Sequence, residues 1–296
     1  MVFIHPGKLF IEIHKNVESL EDVFAYTEFL KVESGINGNL PVDISAILNH
    51  FQIPIPILKP LSGIQGLLLD KDRGIIVLNS TDPSSRQKFT QAHELIEFLF
   101  SVLPNGSEFG NGWKLNKPGG YKESTKEFIC NLAAANLLMP YEYINQLINQ
   151  QGVNFDCARI ISDECEISLS AALVHLARLS PGNHSIVLWT LKNKPSEIKN
   201  CHTKDQMCLF DDNISGPAKK IRVEWSMGSQ SAPFIPKNKS IEESSLINKA
   251  WSTGLFTEGK ERLDLGGRKS AFYQTQNWPF KNNGETQVLS LIEYLG

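Results

Sequence analysis

The chain has 296 residues, 41% hydrophobic and 21% charged, proportions that suit a globular protein with a buried core. Its formal net charge of −3 excludes an overall electrostatic pull toward nucleic acid or an anionic membrane. No stretch approaches the roughly 20 apolar residues needed to span a bilayer, and the start MVFIHPGKLFIEIHKN lacks the basic-then-apolar pattern of a signal peptide, so a soluble cytoplasmic protein is expected.

Residues 1–40 give a mixed signal, in which Val17 to Val32 sets Leu20, Val23, Phe24, Tyr26, Phe29 and Leu30 near a 3.6-residue period and predicts a helix. Gly35, Gly38 and Pro41 break that pattern. Asp43 to Phe51 reads as a short helix with Asp43 as N-cap. The following IPIPIL is extended, because each proline drives its predecessor away from helix. Ile64 to Asp70 and Ile75 to Asn79, joined by Lys71-Asp72-Arg73-Gly74, predict a β-hairpin. After the polar break Thr81 to Ser85, one helix is predicted from Arg86 to about Leu103, with Phe89, Ala92, Leu95, Ile96, Leu99 and Phe100 on its apolar face.

Pro104 to Tyr121 is rich in Gly, Asn and Pro and reads as a loop bordering a cleft, long enough to call for a functional role. Its glycines lack the phosphate-cradle spacing and the following Lys-Ser/Thr. Helices are then expected from Ser124 to Leu138, Tyr141 to Asn149, Phe155 to Glu164 and Ser168 to Leu179, the last ended by Pro181-Gly182. The joint Glu166-Ile167-Ser168 gives the last two a helix-turn-helix look. The second helix offers chiefly His175 and Arg178 to base edges, so packing is favoured over direct nucleic-acid binding.

Beyond Gly182 the texture changes. Ser185 to Leu191, Ile221 to Trp225, Phe272 to Thr275 and Gln287 to Leu291 read as strands, with one helix from Ile241 to Ala250 and a turn at Gly266-Gly267. Lys219, Lys220 and Arg222 form either a local basic patch or, the preferred reading, a solvated strand end. The five cysteines are odd in number and widely spaced, which favours reduced thiols. Cys130, Cys157 and Cys165 fall in helical patterns as small buried residues. Cys201, His202 and Cys208 read as hairpin residues, with a zinc cluster the weaker alternative because no CxxC pair is present.

The residues that carry chemistry lie in the helix from Arg86. Side chains four apart share a helical face, so His93 and Glu97 can reach one cation. Glu94 projects about 100° further round and can stand behind a metal-bound water as general base. This is the layout of the His-Glu-x-x-His zincin helix with glutamate in place of the second histidine. Glu127, near the start of the next helix, is a further acidic candidate.

The segment from Val42 to Pro140 resembles the ImmA/IrrE family of metallopeptidases. The resemblance rests on Asn79-Ser80, on Arg86-Gln87-Lys88-Phe89-Thr90-Gln91-Ala92-His93-Glu94, and on Glu127-Phe128-Ile129-Cys130-Asn131 running through Leu132 to Asn136 into Leu137-Leu138-Met139-Pro140. It extends more weakly to about residue 180. It implies His93 and Glu127 as metal ligands and Glu94 as general base, with Glu97 standing where the family has its other ligand histidine. Carboxylates bind zinc, which is the expected cation; one histidine with two carboxylates also makes an anionic, harder site, for which manganese is the alternative. Asn131, one turn past Glu127, reads either as a partner of a ligand or as an ordinary helix polar residue.

The expected fold is therefore α+β. A zincin-like helical metallopeptidase domain with a small β-sheet spans 1–182 (core 42–140, helical extension 141–182), and a smaller β-rich sensor or docking domain spans 183–296. The resemblance implies a metal-dependent endopeptidase acting on a regulatory protein such as a transcriptional repressor, in stress response. The alternative is a catalytically inactive binding or sensing protein that keeps the fold.

Overall fold

The computed structural model describes residues 3–15, 17–36, 38–103, 125–197, 218–266 and 270–296. Among these, one compact unit comprises the residues up to Gly152 together with Asp156–Ala172, and a second comprises Val153–Phe155 and Leu173–Gly296. The loop expected at Pro104 to Tyr121, the cluster Cys201, His202 and Cys208, and Gly267 lie outside the described residues.

The first unit opens with α1 (Pro6–His14), whose proline at the first turn and His5 N-cap start a helix that the mixed signal of residues 1–40 did not resolve. Next comes α2 (Leu20–Glu33), begun by a reciprocal Ser19–Asp22 capping box. In α3 (Ile44–His50), Asp43 caps the Ser45 and Ala46 amides as its type predicts. The proline-spaced run supplies β1 (Ile57–Lys59), which pairs in parallel with β3 (Ile75–Asn79), while β2 (Gly66–Asp70) and β3 form the expected antiparallel hairpin, giving the order β1-β3-β2. Asn79 ties off this sheet: its Oδ1 accepts from the Leu61 and Thr81 amides at 3.1 and 3.2 Å, and its Nδ2 donates to Leu61 O at 3.1 Å.

Helix α4 (Ser84–Phe100) is the axis of this unit. Ala92, Leu95, Ile96 and Leu99 are fully buried as their period requires, and so is Phe98, which the single apolar stripe left out. Phe89 and Phe100 are only partly covered. The helix is enclosed on several sides because α1, α2, α5 and the sheet all pack on it. Two glycines permit the closest approaches. A Cβ on Gly7 of α1 would stand 2.5 Å from Phe98 O, and one on Gly66 of β2 would stand 2.5 Å from Thr90 Cγ2 and 2.9 Å from Val77 O.

Helix α5 (Thr125–Leu138) lies along α4. Both are anchored to α2 by buried polar contacts, Tyr26 Oη donating to Leu95 O at 3.1 Å and Asn136 Nδ2 donating to Thr27 Oγ1 at 3.0 Å. After α6 (Tyr141–Gln151) comes α7 (Phe155–Cys165). Lys88 of α4 reaches the carbonyl of Cys165 at 3.1 Å and the carboxylate of Glu166 at 3.2 Å. Glu166 itself turns the chain with φ 55°, and α8 (Leu169–Leu179) follows.

The second unit is a five-stranded antiparallel sheet of order β5-β4-β8-β7-β6, made from β4 (His184–Lys192), β5 (Lys220–Gly228), β6 (Thr257–Leu263), β7 (Ala271–Asn282) and β8 (Glu285–Tyr294). Its core gathers Val187, Trp189, Val223, Ile247, Val288 and Ile292. The helix expected at Ile241 to Ala250 is instead α9 (Leu246–Thr253), because Ser245 is the N-cap and accepts the Asn248 amide at 3.1 Å. Strand β6 escaped the sequence reading, and β7 runs well beyond the expected Phe272 to Thr275. The preferred reading of Lys219, Lys220 and Arg222 as a solvated strand end is corrected for Arg222, which is 4% exposed and paired with both carboxylate oxygens of Glu197 at 2.8 and 2.9 Å. Its charge is spent inside the unit.

His175 is buried, and Arg178 places a guanidinium nitrogen 3.0 Å from Met227 Sδ. Among the described residues, no helix is long and apolar enough to cross a membrane.

Candidate metal centre

The face of α4 that carries His93 and Glu97 meets the first turns of α5. Four-residue spacing stacks the two side chains, and His93 Nε2 lies 3.9 Å from Glu97 Oε1. From α5, Glu127 brings its Oε2 to 3.6 Å from the same ring nitrogen. The three residues singled out in the sequence are thus gathered around His93 Nε2. His93 and Glu97 are 14% exposed at their side chains and Glu127 is 46% exposed, which leaves the group open on the α5 side.

The opposite ring nitrogen is occupied. His93 Nδ1 lies 3.1 Å from Asn131 Oδ1, one turn past Glu127 on α5. An amide oxygen only accepts, so Nδ1 is the donor in this contact and Nε2 is the ring nitrogen turned toward Glu97 and Glu127. Of the two roles weighed for Asn131, the contact selects that of a partner to the histidine.

Glu94, about 100° round α4 from His93, is 5% exposed. Burial, then the charges of Glu97 and Glu127, push its pKa from 4.5 up to about 8, against the stabilising hydrogen bond from the Leu68 amide of β2. A carboxyl in this setting holds its proton at neutral pH until a nearby positive charge favours its release.

Two contacts had no place in the sequence reading. Lys126 forms an ion pair with Glu97 Oε2. Burial pulls its ammonium down, but the Glu97 carboxylate outweighs this and holds it above the ordinary lysine value. Cys130 is fully buried and sets its thiol 3.6 Å from Glu97 Oε1. His93, Glu97 and Cys130 each offer a ligand atom, all within 4.8 Å of one another. The signal available in the sequence was the spacing of Cys130 three residues after Glu127, which shares a helical face.

The donors present fit a divalent cation. The ligand atoms of His93, Glu97 and Cys130 lie within 4.8 Å of one another, and Glu127 Oε2 lies 3.6 Å from His93 Nε2, so nitrogen, oxygen and sulfur donors of the kind such an ion takes are at hand.

A chain built around such a helix-borne His/Glu cluster has the makings of a metallopeptidase domain, and comparison with known proteins agrees. Residues 55–174 match the family described as the IrrE N-terminal-like domain, Peptidase_M78. Over 112 residues the chain is 29% identical to the radiation response metalloprotease IrrE of Deinococcus radiodurans, covering 38% of this chain and 33% of that protein. Over 108 residues it is 31% identical to the protein of the same name from Deinococcus deserti, covering 36% and 37% respectively. Over this segment the chain is therefore similar to the ImmA/IrrE family of metallopeptidases, a family of metal-dependent proteases. The matched segment spans about a third of the length of these two relatives. Among solved structures, a Mycobacterium tuberculosis transcriptional regulator superposes with a TM-score of 0.53 at 11% identity, over 98% of this chain and 80% of that one, a likeness of fold alone.

Proposed function

We propose that this chain is a metal-dependent endopeptidase that cleaves a regulatory protein, with His93, Glu97 and Glu127 as metal ligands and Glu94 as general base. The observation that carries this reading is the convergence of Glu97 and Glu127 on His93 Nε2 while Asn131 holds Nδ1. When bound, a divalent cation, zinc or else manganese, supplies Lewis acidity to a scissile carbonyl and to an attacking water. The chain's own part is proton handling: the Glu94 carboxylate takes a proton from the water and returns it to the leaving amine. The Leu68 amide keeps that carboxylate in place. The β-rich region from 183 onward is assigned a sensing or substrate-docking role, with the protein in the cytoplasm. The words "radiation response" in the relatives' name favour a stress-linked substrate such as a transcriptional repressor.

The test is cleavage of co-expressed repressors by the purified, zinc-loaded chain, read by mass spectrometry, with Glu94→Gln as control. Cleavage by the wild type alone supports the assignment. Equal cleavage by both proteins removes Glu94 from the mechanism.

The second reading, a binding or sensing protein without catalysis, is favoured by one observation: Glu97 stands in place of a histidine and is already neutralised by Lys126. Stoichiometric metal without cleavage of any substrate, in both the wild type and Glu97→His, would establish it.

A further inference from the structure

Cys130 is the residue at this centre that neither the family motif nor the proposed ligand set uses. It sits on α5 three residues after Glu127, and its side chain is fully buried. A buried cysteine at a helix interface ordinarily serves as a small apolar filler. Here, though, its sulfur faces a carboxylate, 3.6 Å from Glu97 Oε1. That is the same oxygen that faces His93 Nε2 at 3.9 Å, while Lys126 takes the other one. One oxygen of Glu97 is thereby turned into the cluster and the other is held outside it.

The spacing is that of a coordination shell. A tetrahedral zinc ion with sulfur at about 2.3 Å and oxygen at about 2.0 Å separates those two ligand atoms by roughly 3.5 Å. The Cys130–Glu97 separation is close to this edge, and the ligand atoms of His93, Glu97 and Cys130 all lie within 4.8 Å of one another. We infer that the Cys130 sulfur is itself a ligand of the cation in this centre, giving a mixed nitrogen, oxygen and sulfur donor set. This rests on the metal site proposed above and extends it.

The chemistry is consistent in charge and in softness. Coordination releases the thiol proton to solvent, so the centre becomes a neutral imidazole, a thiolate and the carboxylates around a divalent ion. The excess negative charge is offset by the Lys126 ammonium on Glu97 Oε2. A thiolate also shifts preference toward zinc and cobalt, away from manganese, which carboxylates and water suit better. Of the two cations left open by the sequence, zinc is thereby favoured over manganese.

X-ray absorption at the zinc edge of the full-length, zinc-loaded protein tests this without reference to activity. The expected result is one sulfur scatterer at about 2.3 Å beside lighter scatterers near 2.0–2.1 Å. It should be lost in Cys130→Ser and kept in Cys157→Ser, Cys165→Ser, Cys201→Ser and Cys208→Ser. Zinc bound at one equivalent with only nitrogen and oxygen neighbours overturns the role of Cys130 and leaves the proposed metal site standing. A sulfur shell that survives in Cys130→Ser overturns it equally. Failure to bind zinc at all overturns both. The wild-type spectrum is decisive even where Cys130→Ser does not fold.

Discussion

Asn131 Oδ1 and His93 Nδ1 stand 3.1 Å apart, and this contact between α5 and α4 decides which ring nitrogen is free to bind. Without the acceptor the imidazole loses both its tautomer preference and its ring orientation. Asn131→Ala should therefore weaken zinc binding about 10–100-fold. Asn131→Asp, which keeps an acceptor, should recover most of that loss. Competition with a chromogenic chelator measures all three proteins, and equal affinities would show that the contact does no positioning.

Glu94 links the centre to pH. As pH rises from 4.5 to about 8, the unfolded chain gives up this proton while the folded, metal-free protein retains it. The unfolded state then binds fewer protons, so stability falls across that window. Metal-free Glu94→Gln should be more stable than wild type above pH 5, by on the order of 2 kcal/mol at pH 8. Thermal unfolding across the pH range checks this, and a pH-independent difference would contradict it. The same variant should lose at least about 100-fold in peptide cleavage.

His5 has the opposite sign. It is 8% exposed, its Nδ1 accepts the Lys8 amide at 3.3 Å, and its Nε2 faces Ser101 Oγ at 3.2 Å. Burial first, then Lys8, lower its pKa from 6.5 to about 4. As pH falls from 6.5 to about 4 the unfolded chain takes up a proton that the folded chain refuses, so stability is lost on acidification. His5→Asn, which preserves an N-cap acceptor, should abolish about 2 kcal/mol of this acid sensitivity. Urea unfolding at pH 7 and pH 5 gives the comparison.

Gly7→Ala should destabilise the first unit. The added methyl would stand 2.5 Å from Phe98 O and 2.9 Å from Leu99 Cα, both backbone atoms of α4 that cannot swing aside. A cost of about 2 kcal/mol or more is expected. An unchanged midpoint in thermal unfolding would mean that α1 can slide outward freely.

In the second unit, Asn277 is fully buried and joins three strands: it accepts from Ser290 Oγ at 2.6 Å and donates to Thr275 Oγ1 and Thr257 Oγ1 at 3.1 and 3.2 Å. Asn277→Leu leaves the Ser290 hydroxyl without its acceptor and removes a donor from Thr257 and Thr275, whose own hydroxyls still donate to Leu246 O and Glu261 Oε1. It should cost about 2–4 kcal/mol, seen as a lower unfolding midpoint with zinc affinity unchanged.

Much of this was legible in the chain. The 3.6-residue period fixed α4 and put His93 and Glu97 on one face, and Asp43, the prolines of IPIPIL and the turn Lys71 to Gly74 marked their elements correctly. Those features depend on interactions within a few residues, which local order encodes. Strand β6 escaped because its alternation is carried by polar residues such as Glu258, Lys260 and Arg262. Arg222 looked solvated because its partner Glu197 is 25 residues away.

The helix carrying His93, Glu94 and Glu97 was thus legible in the sequence alone, since the residue order is covalent and the helical period places residues four apart on one face. What stands across from it was decided only by tertiary packing. Asn131 on His93, Lys126 on one oxygen of Glu97, Cys130 beside the other and the Leu68 amide on Glu94 all come from elements brought up against α4. Periodicity says which residues share a face, but the groups that face them follow from how long-range burial seats α5 and β2 against that helix.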